Sequence, residues 1–179
     1  MADDNAADKK WRPATNLVRG GTNRSNFAET SEGIFMTSGY IYDTAEQAQR
    51  AFKEEEDRFI YSRFSNPTVG MFEERMALLE GAASCRATAT GMAAVYASLA
   101  ASVSAGDRLV SSKALFGSCD FICRDLLPKF GVESTMVDGT NLDEWEAALS
   151  KPTAAVFMET PSNPQMDIID IPAVCEMAH

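Results

Sequence analysis

Arg-Ala-Thr-Ala-Thr-Gly-Met-Ala-Ala-Val-Tyr-Ala-Ser-Leu, residues 86–99, passes from a short extended run through Thr90-Gly91 into a helix of small residues. The first backbone N–H groups of a helix have no partner within it, so those of Gly91, Met92 and Ala93 are predicted to point outward. With the positive end of the helix dipole they suit an anion such as phosphate, and Gly91 puts no side chain in its path. The same residues also suit an ordinary strand-to-helix turn in an α/β core. The neighbouring stretches bear on which it is.

Downstream, strand and helix patterns alternate. Asp107–Ser111 reads as a strand, Gly117–Phe130 as a helix stopped by Gly131, and Val132–Val137 as a second strand. Asn141–Leu149 reads as a helix with an Asn-x-x-Glu cap closed by Glu144, and Ala154–Glu159 as an apolar strand. This predicts a mostly parallel sheet with helices on both faces and right-handed crossovers. Ligands of such sheets sit outside the carboxyl ends of the strands. Thr90-Gly91, residues 113–118 and residues 159–164 are therefore expected to converge on one crevice.

Residues 87–106 carry no charge over the length of a membrane span. Their serines, threonines and alanines make transfer into lipid poor, and the stretch reads as a buried helix. The N-terminus has no secretory pattern. With 16 basic against 26 acidic residues the formal charge is −10, which argues against nucleic acid and anionic membrane as partners. The four cysteines, Cys85, Cys119, Cys123 and Cys175, lie in apolar stretches, as reduced thiols of a cytoplasmic enzyme do. Cys119 and Cys123 share a helix face, and with a single histidine in the chain they read as packing and not as metal ligands.

Upstream, residues 1–10 are polar and read as a tail. Residues 11–59 have short apolar runs broken by Gly20-Gly21 and Gly33, with one exposed helix over Ala45–Asp57. Trp11, Phe27, Phe35 and Tyr40 are costly to leave in water, so this segment reads as an arm laid over a neighbouring subunit. At Phe59 the character changes, and residues 60–179 read as the domain proper. Tyr61 and Arg63, two apart in an extended segment, project to one side and could grip an oxyanion. A helix begins after Asn66 at Pro67 and runs to Glu80, burying Val69, Phe72, Met76 and Leu79 and stopping at Gly81.

Tyr-Ser-Arg-Phe-Ser-Asn-Pro-Thr at 61–68, Ala-Thr-Gly-Met-Ala-Ala at 89–94, Leu-Phe-Gly-Ser at 115–118 and Glu-Thr-Pro-Ser-Asn-Pro at 159–164 together resemble the cysteine and methionine metabolism family of pyridoxal-phosphate (PLP) enzymes. The resemblance extends from Trp11 onward. Trp-Arg-Pro-Ala-Thr at 11–15 and Leu-Val-Arg-Gly-Gly-Thr at 17–22 bring it nearest to the O-succinylhomoserine sulfhydrylases of that family. It implies a fold type I, aspartate-aminotransferase-like large domain, here its first part, preceded by an arm that packs on a partner subunit in a dimer of dimers. It implies PLP as cofactor, its phosphate held by the N–H groups of Gly91 and Met92 and, across the dimer, by Tyr61 and Arg63. Phe116 would stack on the pyridine ring and Asn163 would lie beside the phenolic oxygen.

The implied reaction is replacement of succinate by sulfide at the γ-carbon of O-succinylhomoserine, giving homocysteine in methionine biosynthesis. Most of the family has tyrosine at position 116. Phenylalanine keeps the stacking surface and loses the acid, which suits a carboxylate leaving group of acid pKa roughly 4 better than a thiol near ~8.5. Cystathionine γ-synthase and methionine γ-lyase chemistry, or a non-catalytic cofactor-binding module, are the alternatives. Lys9, Lys10, Lys53, Lys113, Lys129 and Lys151 are the lysines present, and none stands in the family's Schiff-base motif. That lysine and the aspartate paired with the pyridine nitrogen are expected beyond His179, so the 179 residues alone are expected to be inactive.

Overall fold

A computed structural model describes residues 11–179. The expected tail, residues 1–10, lies outside the described residues. The chain divides into two compact units that meet between Ala87 and Thr88, well past the change of character at Phe59.

The second unit is built on β1 (Arg108–Ser112), which pairs in parallel with β2 (Glu133–Val137) on one side and β3 (Ala155–Phe157) on the other. Successive side chains of a strand face opposite ways. Leu109 therefore enters one core, with Leu99, Leu115, Cys119, Ile122, Cys123 and Leu127, while Val110 enters another, with Val137, Trp145, Ile169 and Val174. The first core is covered by α4 (Gly91–Ser102) and by α5 (Gly117–Phe121) with its continuation. The second is covered by α6 (Leu142–Leu149) and α7 (Ile171–Ala178). One crossover runs from β1 to β2 and the next returns past β1 to β3, so keeping one hand puts their helices on opposite faces.

The helix expected over Gly117–Phe130 is continuous but changes pitch, from α to a π turn at Ile122–Leu126 and a 3₁₀ turn at Leu127–Phe130. Pro128 is the cause: it has no N–H to donate back, and its ring cannot follow an α turn. Gly131 closes the run at φ +85°. Two other expectations need correction. Asn141 does cap α6, accepting the N–H groups of Asp143 and Glu144, but Glu144 does not return to Asn141. Its carboxylate accepts the Asp138 N–H at 2.8 Å and pairs with Lys113 at 3.2 Å. Nor is α4 a buried helix: within this chain only Leu99 is fully covered, with Met92 and Val95 partly so. No helix among the described residues is long and apolar enough to cross a membrane.

The first unit contains α1 (Pro13–Arg19), α2 (Ala45–Phe52) and α3 (Pro67–Glu80). The segment before α3 is pinned to it at both ends. At the first, Arg75 donates to the Gly20 carbonyl at 2.8 Å and pairs with Glu32, and a Cβ on Gly21 would lie 2.8 Å from the Met71 carbonyl oxygen. At the other, Asn66 donates to the Phe35 carbonyl and Thr68 Oγ1 accepts the Phe35 N–H. This fastening explains why α3 belongs with the segment before it. Along α3 Met71, whose carbonyl oxygen lies beside Gly21, is buried, Met76 and Leu79 are half-buried, and Val69 and Phe72, expected inside, are 43% and 53% exposed. The helix expected to reach Asp57 ends at Phe52. Phe35 and Tyr40 are half-covered within the unit, but Phe27 is 91% exposed.

Trp145 is wholly buried and donates its indole N–H to the Gly139 carbonyl at 3.0 Å. Trp145→Ala is expected to cost about 3–5 kcal/mol, read as a lowered denaturation midpoint, while Leu142→Ala on the exposed side of α6 costs below ~1 kcal/mol.

Candidate active site

The start of α4 has two free donors, not three. Thr90 takes an extended conformation and its Oγ1 accepts the Ala93 N–H at 3.0 Å, which leaves the N–H groups of Gly91 and Met92 without partners among the described residues. A Cβ built on Gly91 meets nothing within 4 Å, so the side-chain side of Gly91 is open. The run leading into Thr90 is extended but pairs with no strand among the described residues. A strand needs a hydrogen-bonded neighbour, and β1 already has one on each side.

Met92 packs against the core that holds Leu115 and Cys119, which places the start of α4 in the same unit and against the same core as the loop after β1. That loop, residues 113–118, and the loop after β3 are joined by one carboxylate. Glu159 Oε2 accepts the Phe116 N–H at 2.8 Å and Oε1 accepts the Asn163 N–H at 2.8 Å. The Phe116 ring is 46% exposed, and Asn163 is also exposed. Residues 159–169 are braced from within. Ser162, fully buried, accepts the Asp167 N–H on its Oγ, and Thr160 Oγ1 accepts the Ile169 N–H. The Thr160-Pro161 and Asn163-Pro164 bonds are both cis. The role of Glu159 cannot be read from its motif, because one of its partners lies in a loop 43 residues away and the other in its own loop.

Tyr61 and Arg63 belong to the first unit and do not lie in an extended segment. Tyr61 makes one bridge to Gly39, and its carbonyl then accepts the N–H groups of Phe64 and Ser65 in a turn. The turn nevertheless brings the pair together. The Arg63 guanidinium stands 5.5 Å from the Tyr61 ring centre and 5.2 Å from that of Phe64. Both residues are exposed, and Arg63 forms no ion pair among the described residues.

The Cys/Met metabolism PLP-dependent enzyme family model matches residues 14–179. The chain belongs to this family. Among curated members, the O-succinylhomoserine sulfhydrylase of Mycobacterium tuberculosis is 55% identical over 93% of this chain and 41% of its own length. The L-methionine γ-lyase of Porphyromonas gingivalis is 39% identical over 93% of this chain and 42% of its own. The chain thus spans about two fifths of the length of these relatives. In a Campylobacter jejuni protein assigned as an O-acetylhomoserine (thiol)-lyase, crystallised with N'-pyridoxyl-lysine-5'-monophosphate, the same fold is seen with a TM-score of 0.85 at 32% identity. That match covers 94% of this chain and 42% of that one. The architecture is therefore that of the PLP-dependent fold type I enzymes, here a small parallel sheet with flanking helices.

For this family member, Cys119 and Cys123 are core residues. Burial pushes the Cys123 thiol up to about 11, with only partial relief from Ser111, and burial with the charge of Glu159 raises Cys119. A raised pKa keeps a thiol neutral above its usual range, and the thiolate is the nucleophile. At pH 8 iodoacetamide is therefore expected to label exposed Cys175 and spare Cys119 and Cys123, with all four labelled after unfolding; peptide mass mapping reads the outcome.

Proposed function

We propose that the chain carries the phosphate- and ring-binding part of a PLP site, and that the whole protein is an O-succinylhomoserine sulfhydrylase. It would exchange succinate for sulfide and release homocysteine. The observation that carries this reading is the joining of the Phe116 and Asn163 loops through Glu159, in the unit whose α4 begins with two N–H groups unpartnered among the described residues. The residues present fit the cofactor: two aligned N–H donors for phosphate, a half-exposed aromatic ring, and an exposed amide. The 55% identity to a sulfhydrylase supports the choice within the family.

In this reading the Gly91 and Met92 N–H groups hold the phosphate, and Tyr61 and Arg63 of a neighbouring subunit complete its shell. The Phe116 ring packs on the pyridine face, and Asn163 orients the phenolic oxygen. When bound, PLP supplies the electron sink that lets protons leave the substrate's α and β carbons and the γ substituent depart. Phe116 has no proton to give, and a carboxylate leaving group needs none. Residues 11–59 would serve as the arm on a neighbouring subunit, with α3 fastened to them in the first unit, residues 88–179 would belong to the large domain, and the assembly would be a cytoplasmic dimer of dimers. The Schiff-base lysine is none of the six lysines of this sequence.

The PLP-loaded protein bearing this chain is expected to form homocysteine and succinate in equal amounts from O-succinylhomoserine and sulfide. Release of methanethiol from methionine in their place would make it a lyase; neither product would end the reading. Phe116→Tyr is expected to leave the sulfhydrylase rate within about threefold and to raise thiol release from cystathionine roughly tenfold or more. Borohydride reduction is expected to fix the cofactor outside residues 1–179. A labelled Lys113 or Lys151 peptide overturns that assignment.

A further inference from the structure

Glu159 has no part in the function proposed above beyond joining two loops, yet its position makes it more than a brace. It stands two residues past β3, half-covered, where the strand's carboxyl end opens into residues 159–169. The Phe116 backbone is fixed from two directions. Its carbonyl accepts the Cys119 and Asp120 N–H groups of its own helix, and its N–H is held by Glu159. Remove the second bond and Phe116 keeps only its tie to α5. The loop after β3 is rigid in its own right through Ser162 and Thr160. Glu159 supplies the one hydrogen bond among the described residues between that rigid loop and residues 113–118. A carboxylate fits this task because it offers two acceptor oxygens a fixed distance apart, and bonds to an ionised acceptor are shorter and stronger than neutral ones.

We propose that Glu159 is a positioning residue: its two oxygens set the separation of the Phe116 and Asn163 backbones, and through them that of the Phe116 ring and the Asn163 side chain, the slot in which an aromatic, phosphate-bearing ring is held. The identity of that ring rests on the PLP reading above, whereas the clamp is a property of these two loops. Glu159 acts through its neighbours, since each of its oxygens accepts a backbone N–H.

The test is Glu159→Gln in the full protein, with Glu146→Gln on exposed α6 as the control. Glutamine is isosteric, but its amide nitrogen must face one of the two N–H donors, so one bond becomes a donor–donor contact. Exchange of the Phe116 or Asn163 amide is expected to speed up roughly tenfold or more, as loss of a charge-assisted bond implies. PLP affinity is expected to fall by about the same factor, with a changed induced circular dichroism of the bound cofactor and an unaltered far-ultraviolet spectrum. Unchanged exchange at both amides overturns the clamp. Faster exchange with unchanged PLP affinity and dichroism overturns the positioning role. If the unsubstituted protein binds no PLP while the amides respond, the cofactor reading fails and the clamp stands. Should Glu159→Gln fail to fold, the unsubstituted protein decides the clamp alone: the Phe116 amide must exchange at least about tenfold more slowly than that of adjacent Gly117, which lacks such a bond, and equal rates overturn it.

Discussion

Leu109 and Val110 sit side by side in β1 without any exposed surface and face opposite ways. Everything in the second unit follows from that. A strand flanked on both sides and buried on both faces can exist only if helices are delivered to each face, so the chain must change face between its two crossovers. Gly139 marks how tightly this is done. A Cβ there would fall 2.6 Å from Ile169 Cδ1 and 3.1 Å from Ser112 Cβ, so the loop leaving β2 runs directly over the end of β1. The loops after β1 and β3, whose strands are neighbours, are left to define the rest of the carboxyl edge, and Glu159 bonds them together.

The alternation of strand and helix was legible in the sequence because it rests on local period: two for the strands, 3.6 for the helices, with Gly131 and Asn141 as punctuation. Strand ends moved by a residue or two, as pairing with a neighbour and not composition sets them. What could not be read was whatever depends on a distant partner. Met71 is buried in place of Val69 and Phe72 because Gly20 and Gly21 press on one side of α3, about 50 residues from where they stand in sequence. Glu144 fits a capping box by spacing, yet its carboxylate is taken by the Asp138 N–H and Lys113. At the site, the loops were legible as loops that follow strands. The third donor at the α4 start was lost to a detail of side-chain rotation, the turning of Thr90 Oγ1 onto Ala93.

That loss sharpens the electrostatics of the proposed phosphate site. The N-terminus of a helix carries the equivalent of about half a positive charge, whereas a phosphate monoester carries about −1.5 to −2. The unit that holds α4 has little else to offer. Arg108 is spent on Ala148, Thr153 and Thr135, Lys113 on Glu144, and Arg124 on Asp120. Lys129 and Lys151 precede β2 and β3, at the opposite end of the sheet from the loops. Charge balance on such a group therefore calls for a further cation, supplied in the function proposed above by Arg63 of a neighbouring subunit. It is exposed, forms no ion pair among the described residues, and lies against two aromatic rings that limit the freedom it would lose on binding. A guanidinium fork can meet two phosphate oxygens at once, which an ammonium of equal charge cannot. The Thr90-Gly91 turn thus cannot balance a phosphate by itself, and the sequence signal at residues 86–99 gains its specificity from the other motifs of the chain.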